Sequence, residues 1–282
     1  MLKIGNFNEL AVKKEVDFGV YLAADDQEIL LPKKYVPQGT KVGDTLKVFI
    51  YTDSEDRLIA TTLIPKAIVG EFAYLLVKDT NKYGAFLDWG LEKDLLVPYS
   101  EQPQKMQKDK RYLVKVYLDP ITERIVATGK TEKNLEKEEI ALTEGAEVDL
   151  LVYGFTELGI KVIIDNKYPG LLYKTDVYEE LHIGDRAQGY VRKIREDNKI
   201  DVSIRRTGPE EIQEAKNRIF SQLKASGGFL SLNDKSSPEL IKKILHLSKK
   251  SFKKGVGGLY KEGVIEITEE GIKLKEEETV KP

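Results

Sequence analysis

The amino-acid sequence predicts a mainly β protein, with three small five-stranded barrels in tandem and then a C-terminal α+β domain. Two observations carry this prediction. A block consisting of a glycine, an alternating strand and two further apolar runs occurs three times, around Gly19, Gly84 and Gly159. After Gly208 the hydrophobic period changes from two residues to about 3.6 residues, the period of a helix. A repeat of about 60 residues is too long for a solenoid repeat and fits a small barrel.

The first barrel is predicted over residues 1–65 and the second over residues 66–130. Their strands alternate apolar and polar residues, which is the pattern of half-buried strands. Each copy closes with two β-rich runs around a polar hairpin tip, at residues 53–56 in the first and 119–123 in the second. Proline and glycine mark the loops between the strands.

The third barrel is predicted over residues 145–208, after a connector. The connector, residues 131–144, is highly charged and lacks β alternation, and we expect it to be partly helical. The third copy keeps the turn signals of the first, because the Val-Gly-Asp of residues 42–44 recurs as Ile-Gly-Asp at residues 183–185. The same architecture is therefore expected three times.

Residues 209–275 are predicted to form three helices followed by a hairpin, which is the order of elements in a winged helix. Ser237 and Ser248 are the expected N-caps of the second and third helices, because a serine side chain accepts a hydrogen bond from the first turn. The hairpin is expected over residues 264–274. Residues 276–282 are predicted to be a disordered, charged tail.

Composition narrows the function classes. The chain has no cysteine, which excludes disulfides and thiolate metal sites, and no cofactor or metal is expected. No apolar run approaches the ~18 residues of a membrane span, and the N-terminus lacks a signal-peptide core, so a soluble cytoplasmic protein that binds no membrane is expected. His182 and His246 are the only histidines and no phosphate-binding glycine loop is present, so catalysis is not expected.

Charge is balanced over the chain as a whole. Charged residues make up 33% of the sequence, yet the formal net charge is only −2. Bulk charge therefore does not hold this chain to nucleic acid, and any basic contact surface must be local. The basic excess lies in residues 209–275, which carry 13 basic and 9 acidic residues, a net charge of +4.

The three β modules resemble the S1-type RNA-binding domain, an OB-fold barrel. The resemblance rests on aromatic residues around the strand-two glycine, an apolar run in strand three and the Val-Gly-Asp before strand four. Three such modules followed by a winged helix are similar to the bacterial conserved virulence factor B family, over nearly the whole chain. The resemblance implies tandem OB-fold (S1-type) barrels, RNA binding and an influence on the expression of other genes.

OB barrels bind single strands on the face of strands two and three, where bases stack on exposed aromatics and basic residues follow the phosphates. The first two modules offer four aromatic candidates, Phe18, Tyr21, Tyr83 and Phe86. Regular alternation places the two members of each pair on opposite faces. The resemblance implies that a bulge at the intervening glycine brings them to one face. The alternative is that one aromatic of each pair is core. Candidate phosphate contacts are Lys33, Lys34 and Lys82.

The third module departs from this pattern, because Leu158 and Lys161 replace the two aromatics. Tyr173 stands where S1-type domains often carry a histidine on the binding face. Its basic neighbours in sequence are Lys174, Arg192, Lys193 and Arg195. Two interpretations remain open: this barrel binds phosphate more than base, or its role is structural.

The winged helix carries a lysine cluster on its third helix, the expected recognition helix. The candidate contacts are Lys249, Lys250, Lys253, Lys254 and Lys261. The alternative is a solvated helix face. Three glycines in the same helix, at 255, 257 and 258, indicate close packing or an early end of the helix, because each disfavours helix by about 1 kcal/mol.

These features predict a non-enzymatic RNA-binding protein. We expect it to engage single-stranded RNA through the tandem barrels, with the basic winged helix assisting, and to influence gene expression after transcription. One alternative is a DNA-binding regulator in which the winged helix contacts duplex nucleic acid. Another is a scaffold whose barrels bind protein, with the ribosome as a candidate partner.

Overall fold

The fold was analysed on a computed structural model, which describes residues 2–25, 27–174, 177, 180–205 and 209–275. The tail predicted at 276–282 lies outside the described residues. Within them, three closed five-stranded barrels precede a domain of three helices and a three-stranded sheet. The predicted fold class is confirmed. None of the helices in the described ranges has both the length and the apolar character that crossing a bilayer requires.

The three barrels share one strand order. Barrel 1 contains β1 (Phe7–Val16), β2 (Gly19–Ala24), β3 (Gln27–Pro32), β4 (Thr45–Thr52) and β5 (Leu58–Thr61). Barrel 2 contains β6 (Phe72–Thr80), β7 (Gly84–Asp88), β8 (Leu95–Pro98), β9 (Arg111–Leu118) and β10 (Ile125–Thr128). Barrel 3 contains β11 (Glu147–Phe155), β12 (Gly159–Ile164), β13 (Tyr168–Tyr173), β14 (Arg186–Ile194) and β15 (Ile200–Ser203). In each barrel the third and fifth strands pair in parallel and the first and fourth strands close the ring.

The repeated glycine is required by the approach of strand two to strand three. A Cβ atom at Gly19 would clash with the carbonyl oxygen of Leu31, and Gly84 meets the Val97 carbonyl in the same way. In barrel 3, Gly159 lies equally close to the carbonyl of Leu172. The glycine pattern of the sequence is therefore explained by the fold alone, before any function is considered.

The bulge that the resemblance implied at these glycines is not found there. Each barrel has a bulge in its first strand instead, between Val12 and Lys14 in barrel 1 and at the corresponding positions of barrels 2 and 3. Phe18 and Tyr83 lie in the turn before strand two, not in the strand. Alternation along the strand therefore does not constrain where these two rings point.

Adjacent barrels are joined by packed apolar side chains. Phe49 and Tyr51 of β4 belong to one core cluster with Trp89 of barrel 2, and the ring centroids of Phe49 and Trp89 are 5.8 Å apart. Barrel 2 packs on barrel 3 through Phe72 and Ile163. The barrels are thus consecutive bodies with shared cores, and not domains on flexible linkers.

The two junctions use equivalent positions. Phe7 packs against the core cluster at the first junction, and Phe72, which contacts barrel 3, stands 65 residues later. Leu91 belongs to the first junction, and Asn166, whose side chain accepts a hydrogen bond of 3.1 Å from the Phe72 N–H, stands 75 residues later. These are the intervals that separate the three glycines, so each barrel docks on the next in a similar way.

The connector packs between barrels 2 and 3. Its helical content is one short 3-10 helix, Thr131–Asn134, which is less helix than the sequence led us to expect. The following residue, Leu135, is 7% exposed and packs with Phe72, Leu151 and Ile163. The connector is therefore part of the junction.

The C-terminal domain has winged-helix order, with one strand that the sequence analysis missed. It contains α1 (Pro209–Ala225), β16 (Phe229–Leu230), α2 (Pro238–Leu245), α3 (Lys249–Lys261), β17 (Ile265–Ile267) and β18 (Ile272–Leu274). The sheet order is β16-β18-β17. Ser237 and Ser248 cap α2 and α3 as predicted, by accepting hydrogen bonds from Leu240 and Ser251.

Two of the three glycines in α3 allow it to pack closely on α1. A Cβ atom at Gly255 would lie 2.8 Å from Ile219 Cδ1 and 3.0 Å from Ala215 Cβ. One at Gly258 would lie 2.9 Å from Cδ of Lys216. Close packing is the correct interpretation, since the helix continues to Lys261.

Candidate nucleic-acid interface

Barrel 1 presents two aromatic rings together, here called the first aromatic pair, Phe18 and Tyr21. Their ring centroids are 6.3 Å apart and their planes meet at 82°, an edge-to-face contact. Phe18 is 57% exposed and Tyr21 is half-buried, so neither ring belongs to the core. The Lys14 ammonium lies 4.6 Å from the centroid of the Tyr21 ring. This arrangement offers flat apolar surface beside a cation, as base stacking requires.

Barrel 2 repeats the arrangement with a looser geometry. Tyr83 is 61% exposed in the turn, Phe86 is half-buried on β7, and Lys82 Nζ lies 5.0 Å from the centroid of the Tyr83 ring. A third aromatic residue, Tyr99, which the sequence analysis did not select, is 39% exposed. Its hydroxyl donates a hydrogen bond of 2.7 Å to the Asn81 carbonyl, which anchors the ring beside the Tyr83 turn.

Tyr99 occupies the position of Lys33 in barrel 1. Both backbone N–H groups donate to the carbonyl of the aromatic before the glycine: Lys33 to Phe18 at 2.9 Å, and Tyr99 to Tyr83 at 3.3 Å. The sequence contained the signal, because both residues directly follow the proline that ends strand three. Comparing the two copies one residue past that proline finds Tyr99.

Lys34, a predicted phosphate contact, makes an ion pair with Glu92 of barrel 2. The hydrogen bond between them raises the pKa of Lys34 and lowers the pKa of Glu92. Lys34 therefore lies at the seam between the barrels. Lys33 is exposed beside the first aromatic pair.

Acidic residues neutralise most of the cations near these faces. Glu28 binds Lys13 at 3.0 Å and Lys14 at 2.5 Å, across β2. In barrel 2, Lys78 Nζ lies 2.8 Å from Asp94 Oδ1 in the corresponding place. The aromatic faces are consequently close to neutral, and a phosphate must displace a carboxylate to reach these lysines.

In barrel 3 the connector packs against the face of strands two and three. Lys161 Nζ binds Glu132 of the connector at 2.8 Å, and the Tyr153 hydroxyl donates to the same carboxylate at 3.1 Å. The Lys161 hydrogen bond lowers the pKa of Glu132, and burial raises that of the Tyr153 hydroxyl. Leu158, at the turn, is 70% exposed. A cleft of about 490 Å³ remains between the connector and this face.

Tyr173 is held in a charge network at the end of β13. Its hydroxyl lies 3.3 Å from Asp201 Oδ1 and accepts a hydrogen bond from Arg195. Arg195 also binds both oxygens of Asp201, at 2.9 and 3.0 Å. Asp201 is only 8% exposed, so this network has a structural role. Of the basic residues predicted around it, Lys174, Arg192 and Lys193 are exposed. Lys193 lies opposite Asp201 in the backbone register of β14 and β15.

The lysines of α3 divide into two groups. Lys250, Lys253 and Lys261 are exposed. Lys249 is half-buried, and Lys254 Nζ lies 3.3 Å from Glu211 of α1. Of the five lysines predicted from the sequence to contact nucleic acid, three are therefore exposed on the surface of α3.

The exposed face of α3 has two further features. Among the described residues, no heavy atom lies within 4 Å of a Cβ built at Gly257, so this glycine leaves the helix backbone open between the lysines. Tyr260, which the sequence analysis did not select, is 54% exposed nearby. The adjacent hairpin is acidic: it carries Glu266, Glu269 and Glu270.

Comparison with known proteins matches two of the domains to families. Residues 4–63 match the S1 domain, and residues 217–274 match the CvfB-like winged helix domain. The chain is 28% identical over 273 residues to the YitL protein of Bacillus subtilis strain 168, which covers 91% of this chain and 88% of that protein. It is 26% identical over 242 residues to conserved virulence factor B of Staphylococcus saprophyticus, which covers 80% of this chain and 78% of the relative.

A solved structure is similar over nearly the whole chain. It is a multidomain protein with nucleic acid binding domains from Streptococcus pneumoniae TIGR4, 27% identical, covering 96% of this chain and 98% of that one, with a TM-score of 0.42. The fold and the family matches support a nucleic-acid-binding protein with S1-type barrels and a winged helix. Within that class the chain is similar to conserved virulence factor B, as the order of its modules predicted.

Proposed function

We propose that this protein binds single-stranded RNA, without catalysis, through the aromatic faces of barrels 1 and 2, and so influences gene expression after transcription in the cytoplasm. The first aromatic pair carries the proposal. Burying a phenylalanine side chain stabilises a protein by about 1.5–3 kcal/mol, and Phe18 forgoes much of this at 57% exposure. A ligand that stacks on the ring explains its position better than folding does.

The charge balance favours stacking as the main source of affinity. Lys13, Lys14 and Lys78 beside the aromatic faces are paired with acids. A phosphate that contacts one of these lysines replaces a carboxylate and adds little net attraction. Each stacked base contributes about 1–3 kcal/mol. We therefore expect a modest dependence on salt, because few phosphates are neutralised in net terms.

The test is a fluorescence-anisotropy titration of the full chain with matched single-stranded RNA, single-stranded DNA and duplex DNA, at about 50 and about 200 mM salt. We expect preferential binding of single-stranded RNA that is lost in the Phe18→Ala, Tyr21→Ala, Tyr83→Ala, Phe86→Ala variant. The control replaces an exposed apolar residue at the hairpin tip of barrel 2, Ile121→Ala. Unchanged affinity in the aromatic variant would rule out stacking, and binding to none of the ligands would favour a protein-binding scaffold.

The winged helix supports a second candidate, contact with duplex nucleic acid. The exposed lysines 250, 253 and 261 with the open backbone at Gly257 favour it, since a helix face with these features fits against phosphates. The acidic hairpin works against deep docking, because Glu266, Glu269 and Glu270 would approach the same duplex. Alanine at the three lysines should reduce duplex binding and its salt slope while single-stranded RNA binding falls less.

A further inference from the structure

Barrels 1 and 2 are joined rigidly by apolar and polar contacts. Phe49 and Tyr51 share a core with Trp89. Lys93 of barrel 2 donates to the Asp53 carbonyl at 2.6 Å and to Asp56 Oδ1 at 3.1 Å, at the hairpin tip of barrel 1. The two aromatic faces are therefore held at a fixed distance and orientation, unlike sites on a flexible linker.

The contact between barrels 1 and 2 that is formed by Lys34 and Glu92, here called the seam, lies between their two aromatic faces. The Lys33 N–H binds the Phe18 carbonyl, so the short 3-10 helix Lys33–Tyr35 begins beside the first aromatic pair. Lys34, in that helix, reaches Glu92 in the loop after β7.

From that loop, β7 leads back to the aromatic residues of barrel 2. It passes Phe86 and ends at the Tyr83 turn, over five residues or about 15 Å of strand. The Lys78–Asp94 ion pair lies along this strand, joining the first strand of the barrel to the start of β8. A path over the surface thus runs from Phe18 across Lys34 to Tyr83.

The Lys34–Glu92 ion pair is easily exchanged. The two side chains are 54% and 58% exposed, and exposed pairs of this kind contribute about 0–1 kcal/mol. The shared apolar core, not this pair, holds the barrels together. A phosphate oxygen offers Lys34 the same charge-assisted hydrogen bond that the Glu92 carboxylate offers now.

We propose that barrels 1 and 2 form one continuous site for a single RNA strand that crosses the seam at Lys34, and that Glu92 holds this lysine until a phosphate replaces it. This inference rests on the proposed function and adds to it the length of RNA that is recognised. A strand long enough to reach both aromatic sites binds the second site at the high effective concentration that a rigid junction gives. A shorter strand occupies one site at a time.

The test measures binding of oligouridylates from about 4 to about 24 nucleotides to the full chain, a range that spans one OB-fold site and two. We expect affinity to rise in a step at the length that crosses the seam. Glu92→Gln should tighten binding about threefold for the long strands only, and Lys34→Ala should weaken those same strands only. Both substitutions change exposed side chains, so the fold should be kept.

Glu28→Gln is the matched control. It releases Lys13 and Lys14 inside barrel 1, so it should tighten binding of short and long strands alike. A smooth increase of affinity with length, or a Glu92→Gln effect equal at all lengths, would overturn the continuous site while leaving the proposed function in place. Absence of binding at every length would overturn both.

Discussion

Barrels 1 and 3 have the same strand order, yet the same outer face of strands two and three makes different contacts in the two barrels. Two residues after the repeated glycine, Tyr21 of barrel 1 lies beside an exposed phenylalanine, whereas Lys161 of barrel 3 binds Glu132 of the connector. Two residues further on, Ala23 is exposed and Ile163 is fully buried against barrel 2 and the connector.

The inward-facing positions of the same strands hardly differ. Val20 and Leu22 of barrel 1 are buried in its core, and Ile160 and Val162 are buried in the core of barrel 3. The residues that specify a barrel are thus separate from those that determine what its outer face contacts. In barrel 3 that face packs on barrel 2 and the connector, and in barrel 1 it leaves Phe18 and Ala23 exposed.

The largest effect is expected at the buried face of barrel 3. Ile163→Ala removes a fully buried side chain from the junction and should lower the free energy of unfolding by about 3 kcal/mol, through lost burial and the cavity left behind. Ala23→Ser, a change at the equivalent position of the exposed face, should stay within about 0.5 kcal/mol. Denaturant unfolding measures both. Similar values for the two variants would mean that the two faces do not differ as described.

A second prediction compares the same positions in RNA binding. The double variant Phe18→Ala, Tyr21→Ala should weaken single-stranded RNA binding by about 30-fold, because each lost stacking contact costs about 1–3 kcal/mol. Leu158→Ala with Lys161→Ala, the equivalent change in barrel 3, should weaken it less than about threefold. Anisotropy titration of the full chain decides between the two. A larger loss from the barrel 3 variant would transfer the binding role to that barrel.

Much of the fold could be predicted from the sequence, because the same strand pattern occurs three times around Gly19, Gly84 and Gly159. The glycines, hairpin tips and helix caps each reflect a local requirement, as the close approach at Gly19 and the serine cap at Ser248 show. The strand β16 was missed because two residues carry no periodicity. The bulge was assigned to the glycine although it lies in the preceding strand, since sequence spacing does not show which partner strand carries the extra residue.

The candidate site was less predictable, because it depends on contacts between distant segments. The pairing of Phe18 with Tyr21 was expected from the resemblance, and the structure shows a different cause for it, the turn position of Phe18. Nothing in the connector sequence singles out Glu132 as the partner of Lys161, 29 residues away. The Lys34–Glu92 contact depends in the same way on how two barrels pack.

A third prediction restores the face of barrel 3. Glu132→Gln combined with Lys161→Tyr replaces the connector carboxylate with a neutral amide and places an aromatic ring where Tyr21 lies in barrel 1. One added stacking contact is worth about 1 kcal/mol at the lower end of the range, so single-stranded RNA binding should tighten about fivefold. Glu132→Gln alone is the control and should give little gain, since it supplies no ring. Equal gains from both variants would show that the carboxylate, and not the missing aromatic, limits this barrel.

The smallest effect concerns pH and the connector. The hydrogen bond from Lys161 lowers the pKa of Glu132 below its ordinary value of 4.5. A carboxyl with a lowered folded-state pKa binds protons less readily than in the unfolded chain, so its contribution is complete above the ordinary value and is lost as pH falls through the lowered one. Unfolding free energies of the wild type and Glu132→Gln should therefore differ at neutral pH and converge in acid.

The expected gap is small, because the Glu132 side chain is 51% exposed and such pairs contribute about 0.2–1 kcal/mol. Lys161→Met, which removes the cation and keeps much of the stem, should abolish the pH dependence of the gap between Glu and Gln at position 132. If the gap stays constant from neutral pH into acid, the ion pair does not hold the connector to barrel 3. Burial of Leu135 alone would then account for the covered face.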